Sequence, residues 1–412
     1  MTKNILLSDP RDGASAKISF FAGELHQWPI NAVRELAVRW WLTANGRSAE
    51  LRLARLMIAD VELASIDRTT CVSHIRQILK EICIDQKFFD VAAMFANKNN
   101  NLFEYITGAK DEFCNKLYNK ISSACMDDVR RRATLIPIVP RLHGCSFSVD
   151  NEDVGLIHRT DTDSWRKIIE EPFECLNWNA SNATFAGPSP WFGEDKFTYY
   201  AFGIDKGAHT WCVDQSLLKI RKLLSVVIAQ KASKQKTNFH TTIADAPRHY
   251  IQFAEKNTSI PFFSSGIEPI LPFYSSDILI DQDDVVDIKE WYKRNRDLST
   301  EKSNRLEKCC HFINLALNAK SLHGFVFFYI SLDALFGERY DVERSIKRGI
   351  SEFSQVHVTR TDWLYELRNE IIHGGSRRIS EWARYEKYVS HFNSEPEHDI
   401  RTIALECLCR YR

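Results

Sequence analysis

The sequence predicts a multidomain, mainly α-helical protein with an α+β middle region and an all-α C-terminal helical bundle. Three observations carry this. Apolar residues recur at helical spacing in the first third of the chain and again after residue 290. Between them the chain is rich in Gly, Pro, aromatic residues and short β-prone runs. A length of 412 residues, at about 100–200 per domain, calls for two or three domains. The expected organisation is a helical N-terminal region over residues 1–132, a mixed region over 133–289 that senses or regulates, and a helical effector domain over 290–412.

In residues 31–44, Val33, Leu36, Ala37, Trp40 and Trp41 fall on one helical stripe. Cys71, Ile75, Ile78, Leu79 and Ile82 repeat the pattern, and a further helix is expected over about 111–129. A polar break at 97–101 separates the two. Strands are expected at 135–139, 146–149 and 197–204, with loop chemistry at Gly187-Pro188-Ser189-Pro190. Residues 216–236 read as a helix whose Lys219, Arg221, Lys222, Lys231, Lys234 and Lys236 meet no acidic residue within the segment; a solvated face over buried leucines is expected there. Apolar scraps at 257–274 are broken by Pro261, Gly266, Pro269 and Pro272. The aspartates between 277 and 287 lack the Gly and terminal Glu of a calcium loop and read as a solvated linker. From Lys289 to Glu395 there is no proline, and six helices are expected at 301–319, 321–336, 342–353, 359–373, 380–392 and 397–411.

Lys plus Arg total 54 and Asp plus Glu total 54, so any contact with a polyanion must come from a local patch. No apolar stretch behind basic residues opens the chain, and the most apolar window, 322–337, is too short to span a bilayer; a cytoplasmic protein is expected. The eleven cysteines contain no Cys-x-x-Cys and read as reduced, mostly buried thiols. There is no G-x-G-x-x-G and no Walker A loop, so neither dinucleotide nor nucleoside triphosphate binding is indicated, and no cofactor or metal is expected.

The sharpest feature is Leu367-Arg368-Asn369-Glu370-Ile371-Ile372-His373-Gly374-Gly375. Gly374-Gly375 is a strong helix stop, because glycine takes the left-handed position after a helix without a Cβ penalty. His373 then lies in the last turn, and Asn369 lies one turn earlier on the same face. These residue types suit RNA cleavage. The reaction needs a base for the 2′-hydroxyl proton, an acid for the 5′-oxygen leaving group and a cation for the growing phosphorane charge. Histidine serves as base or acid, and arginine presents a planar fork to phosphate oxygens. An Arg separated by four to six residues from a following His occurs at four places: Arg68–His74, Arg305–His311, Arg368–His373 and Arg384–His391. Only Arg368–His373 has Asn directly after the Arg and Gly-Gly directly after the His.

Arg-Asn-three residues-His, late in an all-helical domain, resembles the signature of HEPN domains. The run FVFFYISLDALFG at 325–337 is similar to the second helix of the ApeA-like HEPN group, and LRNEIIHGG resembles its closing motif. The resemblance covers roughly residues 290–412. It implies a helical bundle that pairs face to face as a homodimer, so that two Arg/His sets form one composite ribonuclease site. It further implies metal-independent cleavage of tRNA or mRNA leaving a 2′,3′-cyclic phosphate, in anti-phage abortive infection with a phage-derived trigger. Carried over, Arg368 and His373 are catalytic, Asn369 is supporting, and Asp333 stands where many HEPN domains have Glu; Asp333 is equally readable as a structural partner for an Arg of the bundle. The rival readings are a catalytically silent HEPN dimer that binds RNA, and a metal-dependent nuclease built on Glu194 and Lys196.

Overall fold

The computed structural model describes residues 5–6, 20–21, 25–30, 34–39, 41–85, 110–138, 142–149, 151–158, 160–174, 199–234, 241–242, 249–255, 262–265, 267, 270, 273–274, 278–356 and 358–411. The polar break at 97–101, the Gly-Pro loop at 187–190 and the Glu194/Lys196 pair lie outside them. The chain is mainly helical with an antiparallel sheet in its middle region and divides into two units. One comprises residues 1–130 with 206–212, the other 131–205 with 213–412.

The first unit holds helices α1 (Ala44–Ile58), α2 (Arg68–Asp85) and α3 (Lys110–Asp128). The stripe predicted for α2 is its core face: Cys71, Ile75, Ile78 and Leu79 are buried, against Ile121 and Cys125 of α3. Between α2 and α3, His74 bonds Asp128 at 3.3 Å, and that contact raises the imidazole pKa. The helix expected at 31–44 is not there. Leu25–Ile30 and Arg34–Arg39 pair antiparallel, and Trp41–Thr43 pairs with Ile5–Leu6 and Phe20–Phe21. Over six residues the alternation of Leu36 and Val38 with Ala37 and Arg39 fits a period of two as well as one of 3.6, and cross-strand pairing decides it.

The second unit is built on a six-stranded sheet. Its strands are β1 (Arg130–Ile138), β2 (Phe147–Val149), β3 (Val154–His158), β4 (Tyr199–Gly207), β5 (His249–Ala254) and β6 (Phe262–Ser265), in the order β6-β5-β1-β4-β3-β2. Along β1, β3, β4 and β5 residues on both faces are buried, so these strands lack the in–out alternation of a half-exposed sheet. Side chains alternate along β4. Tyr200 and Phe202 join Trp165, Ile169 and Phe173 of the helical segment Thr162–Phe173 on one face. Tyr199 and Ala201 on the other face join the main core.

That core continues through α4 (His209–Lys234) into α5 (Gln282–Arg294), α6 (Thr300–Leu317), α7 (Ser321–Phe336), α8 (Val342–Phe353), α9 (Val358–Ile372), α10 (Tyr385–Phe392) and α11 (Pro396–Arg410). The boundary expected at 289/290 therefore falls inside α5. Trp291 is fully buried and donates its indole N–H to the Leu408 carbonyl at 2.8 Å, which ties α5 to α11. α7, an apolar helix with eight buried residues, packs against α6, α8 and α11, and α8 packs against α9. No helix among the described residues is long and apolar enough to cross a membrane. The nine described cysteines form no disulfide, and six of them are buried.

The aspartate run is not a linker. Asp281 caps α5, and Asp281 and Asp284 form a reciprocal capping box. Asp284 is buried and accepts hydrogen bonds from Lys231 at 2.5 Å and Lys234 at 2.9 Å. The solvated face expected on α4 is likewise absent: Arg221 and Lys231 are buried, and Lys219 and Lys222 pair with Asp205 and Glu152.

Candidate active site

Helix α9 is held by Thr361, Leu364 and Leu367, all buried. Half-buried Trp363, Tyr365 and Ile371 pack beside them. The helix ends as its glycines dictate. Gly374 has φ +76°; its N–H donates to the Ile371 carbonyl at 3.0 Å, and the Gly375 N–H donates to the Glu370 carbonyl at 2.8 Å. This is the Schellman arrangement, in which a left-handed residue lets the next two amides turn back onto the last free carbonyls. His373 is the residue just before that turn. It is exposed, and its backbone N–H donates to the Asn369 carbonyl at 3.0 Å.

Arg368 is half-buried. Its Nη1 donates to Asn369 Oδ1 at 2.9 Å, and its guanidinium carbon lies 5.9 Å from the ring centres of both Tyr329 on α7 and Tyr365 on α9. The two tyrosine rings are 6.0 Å apart at 63° and form a corner that supports the guanidinium by cation–π attraction. Burial pushes the Tyr329 hydroxyl pKa well above its ordinary value, and Tyr365 adds to this while Arg368 opposes it. That hydroxyl has no hydrogen-bond partner among the described residues.

The acids on α9 are occupied elsewhere. Asp362 pairs with Lys347 at 2.7 Å, Glu366 with Arg384 at 2.6 Å, and Glu370 accepts from the Ser376 hydroxyl at 2.5 Å. Glu366 and Glu370 thus each hold a specific partner. Neither Arg368 nor His373 bonds a carboxylate among the described residues. An anionic ligand would meet a guanidinium that no carboxylate pairs and an exposed imidazole.

Asp333 lies one turn beyond Tyr329 on α7. Its carboxylate sits at the helix C-terminus against Gly337, where an added Cβ would come within 2.0 Å of Oδ1. Among the described residues it bonds neither Arg368 nor His373, and it forms no ion pair with an arginine. Arg305, the nearby cation, instead donates to the Gly337 carbonyl at 2.9 Å. The structure thus brings Arg368 and Asn369 together, places His373 one turn on, and leaves Asp333 unengaged. Tyr329 and Tyr365 are the residues that sequence reasoning missed. Tyr365, three residues before Arg368, was detectable as an i, i+3 aromatic–cation pair; Tyr329 was not, being on another helix.

In chemical terms the arrangement offers a planar cation for phosphate oxygens and an imidazole able to take or give a proton. Among the described residues no group of three or more His, Cys, Asp or Glu side chains is placed to hold a metal ion. No protein-family model, curated protein or solved structure matches this chain.

Proposed function

We propose that the chain is a HEPN-type endoribonuclease that cleaves RNA by attack of the substrate's own 2′-hydroxyl. One observation carries the reading: the Gly374-Gly375 turn presents His373 at the surface one turn beyond an Arg368–Asn369 pair whose cation no carboxylate neutralises. Arg368 then meets the phosphorane charge and His373 moves a proton. One copy supplies one histidine, whereas both a base and an acid are needed, so a two-fold dimer through the C-terminal helices completes the site. A role in abortive anti-phage defence, with the rest of the chain gating the effector, follows from the resemblance.

The test is cleavage of cellular RNA by the full chain in excess EDTA. Fragments should end in a cyclic phosphate, and a 2′-deoxy nucleotide 5′ of the scissile bond should block the cut. Arg368→Ala should lower it about 10²–10³-fold and His373→Ala should abolish it. A folded, fully active variant of either residue sinks the assignment. A silent RNA-binding dimer is the second reading. It is favoured by Asp333, which sits apart from the pair, and RNA binding without cleavage under any condition would establish it.

A further inference from the structure

Trp363 lies on α9 about ten residues, hence about 15 Å along the helix axis, before His373. Its indole is held from the protein side by Trp382, Tyr388 and Phe392, at 6.3, 6.0 and 5.6 Å between ring centres and steep angles. Trp382 and Tyr388 are buried, while Trp363 is only half-buried. Tyr388 and Phe392 belong to α10, and the remaining neighbours come from the same helix and from Arg384 at its start. The His391 ring lies nearly parallel to the indole, at 23° and 5.8 Å. Arg384 and Lys387 approach within 5.9 and 5.8 Å of the ring. Arg384, Lys387 and His391 are spaced i, i+3, i+7, so they share one face, and all three are exposed. Glu366 holds Arg384 in place, whereas Lys387 and His391 bond no carboxylate among the described residues. Arg384–His391 is also one of the Arg–His spacings in the sequence that the proposed cleavage site does not use.

A flat ring stacked on a fixed indole with cations beside it is the arrangement by which proteins hold an unpaired nucleobase and its phosphates. We propose that this face of α10, with Trp363 behind it, docks single-stranded RNA, one base stacking on Trp363 in the place that the His391 ring occupies and Lys387 meeting the adjoining phosphate. The proposal rests on the reading of the C-terminal helices as an RNA-acting module. A single strand is specified because the bases of a duplex already stack on one another and cannot offer a face to the indole. An acidic protein segment would use the cations but has no need of the stacking surface. From Trp363 a strand running along α9 reaches His373 within a few nucleotides, so the surface would set which stretch of RNA enters the cleavage site.

The experiment is fluorescence anisotropy of a labelled single-stranded oligoribonucleotide on full-length His373→Ala protein, which binds without cutting. Lys387→Gln should weaken binding about fivefold and lower its salt dependence by about one charge, whereas His391→Ala, which vacates the stacking place, should not weaken it. Trp363→Leu should bind about fivefold or more weakly than Trp363→Phe, which keeps a stacking ring. That difference should vanish on an oligonucleotide of the same length without bases. The proposal is overturned if Lys387→Gln binds RNA as tightly as its parent, if the base-free strand binds as well as the normal one, or if a glutamate-rich peptide binds in place of RNA. Should the Trp363 variants fail to fold, the Lys387 variant and the base-free strand decide alone. Failure of the ribonuclease reading looks different: RNA bound through this face, and never cut by the unaltered chain.

Discussion

Helix α4 carries Lys219, Arg221, Lys222, Lys231 and Lys234, and α9 with the start and body of α10 carries Arg368, Arg384 and Lys387 beside His373 and His391. By composition both are basic stretches. In α4 the lysines are neutralised from other elements: Lys219 by Asp205 at 2.7 Å, Lys222 by Glu152 at 3.8 Å, Lys231 and Lys234 by Asp284, and Lys234 also by Asp287 at 2.7 Å. In α9 and α10 Arg360 pairs with Asp399 at 3.3 Å and Arg384 with Glu366, whereas Arg368, Lys387, His373 and His391 have no carboxylate among the described residues. A run of lysines is therefore no sign of polyanion binding by itself. What matters is whether the fold supplies carboxylates, because an ion pair leaves little net field for a phosphate to feel.

The comparison breaks most sharply at Asp284. Asp284→Ala should destabilise the protein by about 3–5 kcal/mol in urea unfolding, since it leaves Lys231 buried without its partner and removes half of a capping box. A loss below about 1 kcal/mol would show that α4 is not held by charge pairing. The same carboxyl predicts an acid limb. Burial pushes its pKa up, but hydrogen bonds from Lys231, Lys234 and the Asp281 backbone N–H outweigh this and hold it below the usual range. A lowered folded pKa adds stability that is fully present above the unfolded value of about 3.9 and is lost as pH falls through the folded value. Urea midpoints between pH 5 and the acid limit should fall less steeply in Asp284→Ala than in the parent.

On the opposite side, Arg368→Ala should lower RNA cleavage by about 10²–10³-fold, the usual cost of removing one group that stabilises transition-state charge. Its melting temperature should stay within a few degrees of the parent; a large drop would place Arg368 in the core with the cations of α4. Gly374→Ala is a smaller, local test. At φ +76° a Cβ costs about 1–2 kcal/mol of backbone strain although nothing lies within 4 Å of it. Gly374→Asn should cost less, as asparagine tolerates that conformation. Equal stability of all three would mean that the helix stop does not depend on glycine. Smallest of all, Lys387→Gln should move stability by no more than about 0.5 kcal/mol, because no carboxylate is left behind.

Local chemistry was legible. The stripe of α2, the helix at α9 and the Gly-Gly stop appear where the spacing puts them, because helix periodicity and a left-handed cap are decided by residues within two turns of one another. Arg368, Asn369 and His373 were found together for the same reason. The hairpin at Leu25–Arg39 was not, since its six-residue strands fit two periods and only the partner strand chooses. The boundary near 290 was misplaced because the acidic run resembled a linker; its capping role was local and readable, but its burial under α4 was not.

The order of residues alone determined the mainly helical character, the β-prone middle, the position of the Arg-Asn-three residues-His motif and the turn that exposes His373. Tertiary structure decided which charges survive. Asp284 meets Lys231 across 53 positions of chain, and Tyr329 reaches Arg368 from another helix. Coulomb and cation–π attraction depend on distance through space, and no spacing along the chain reports that distance until the helices have packed.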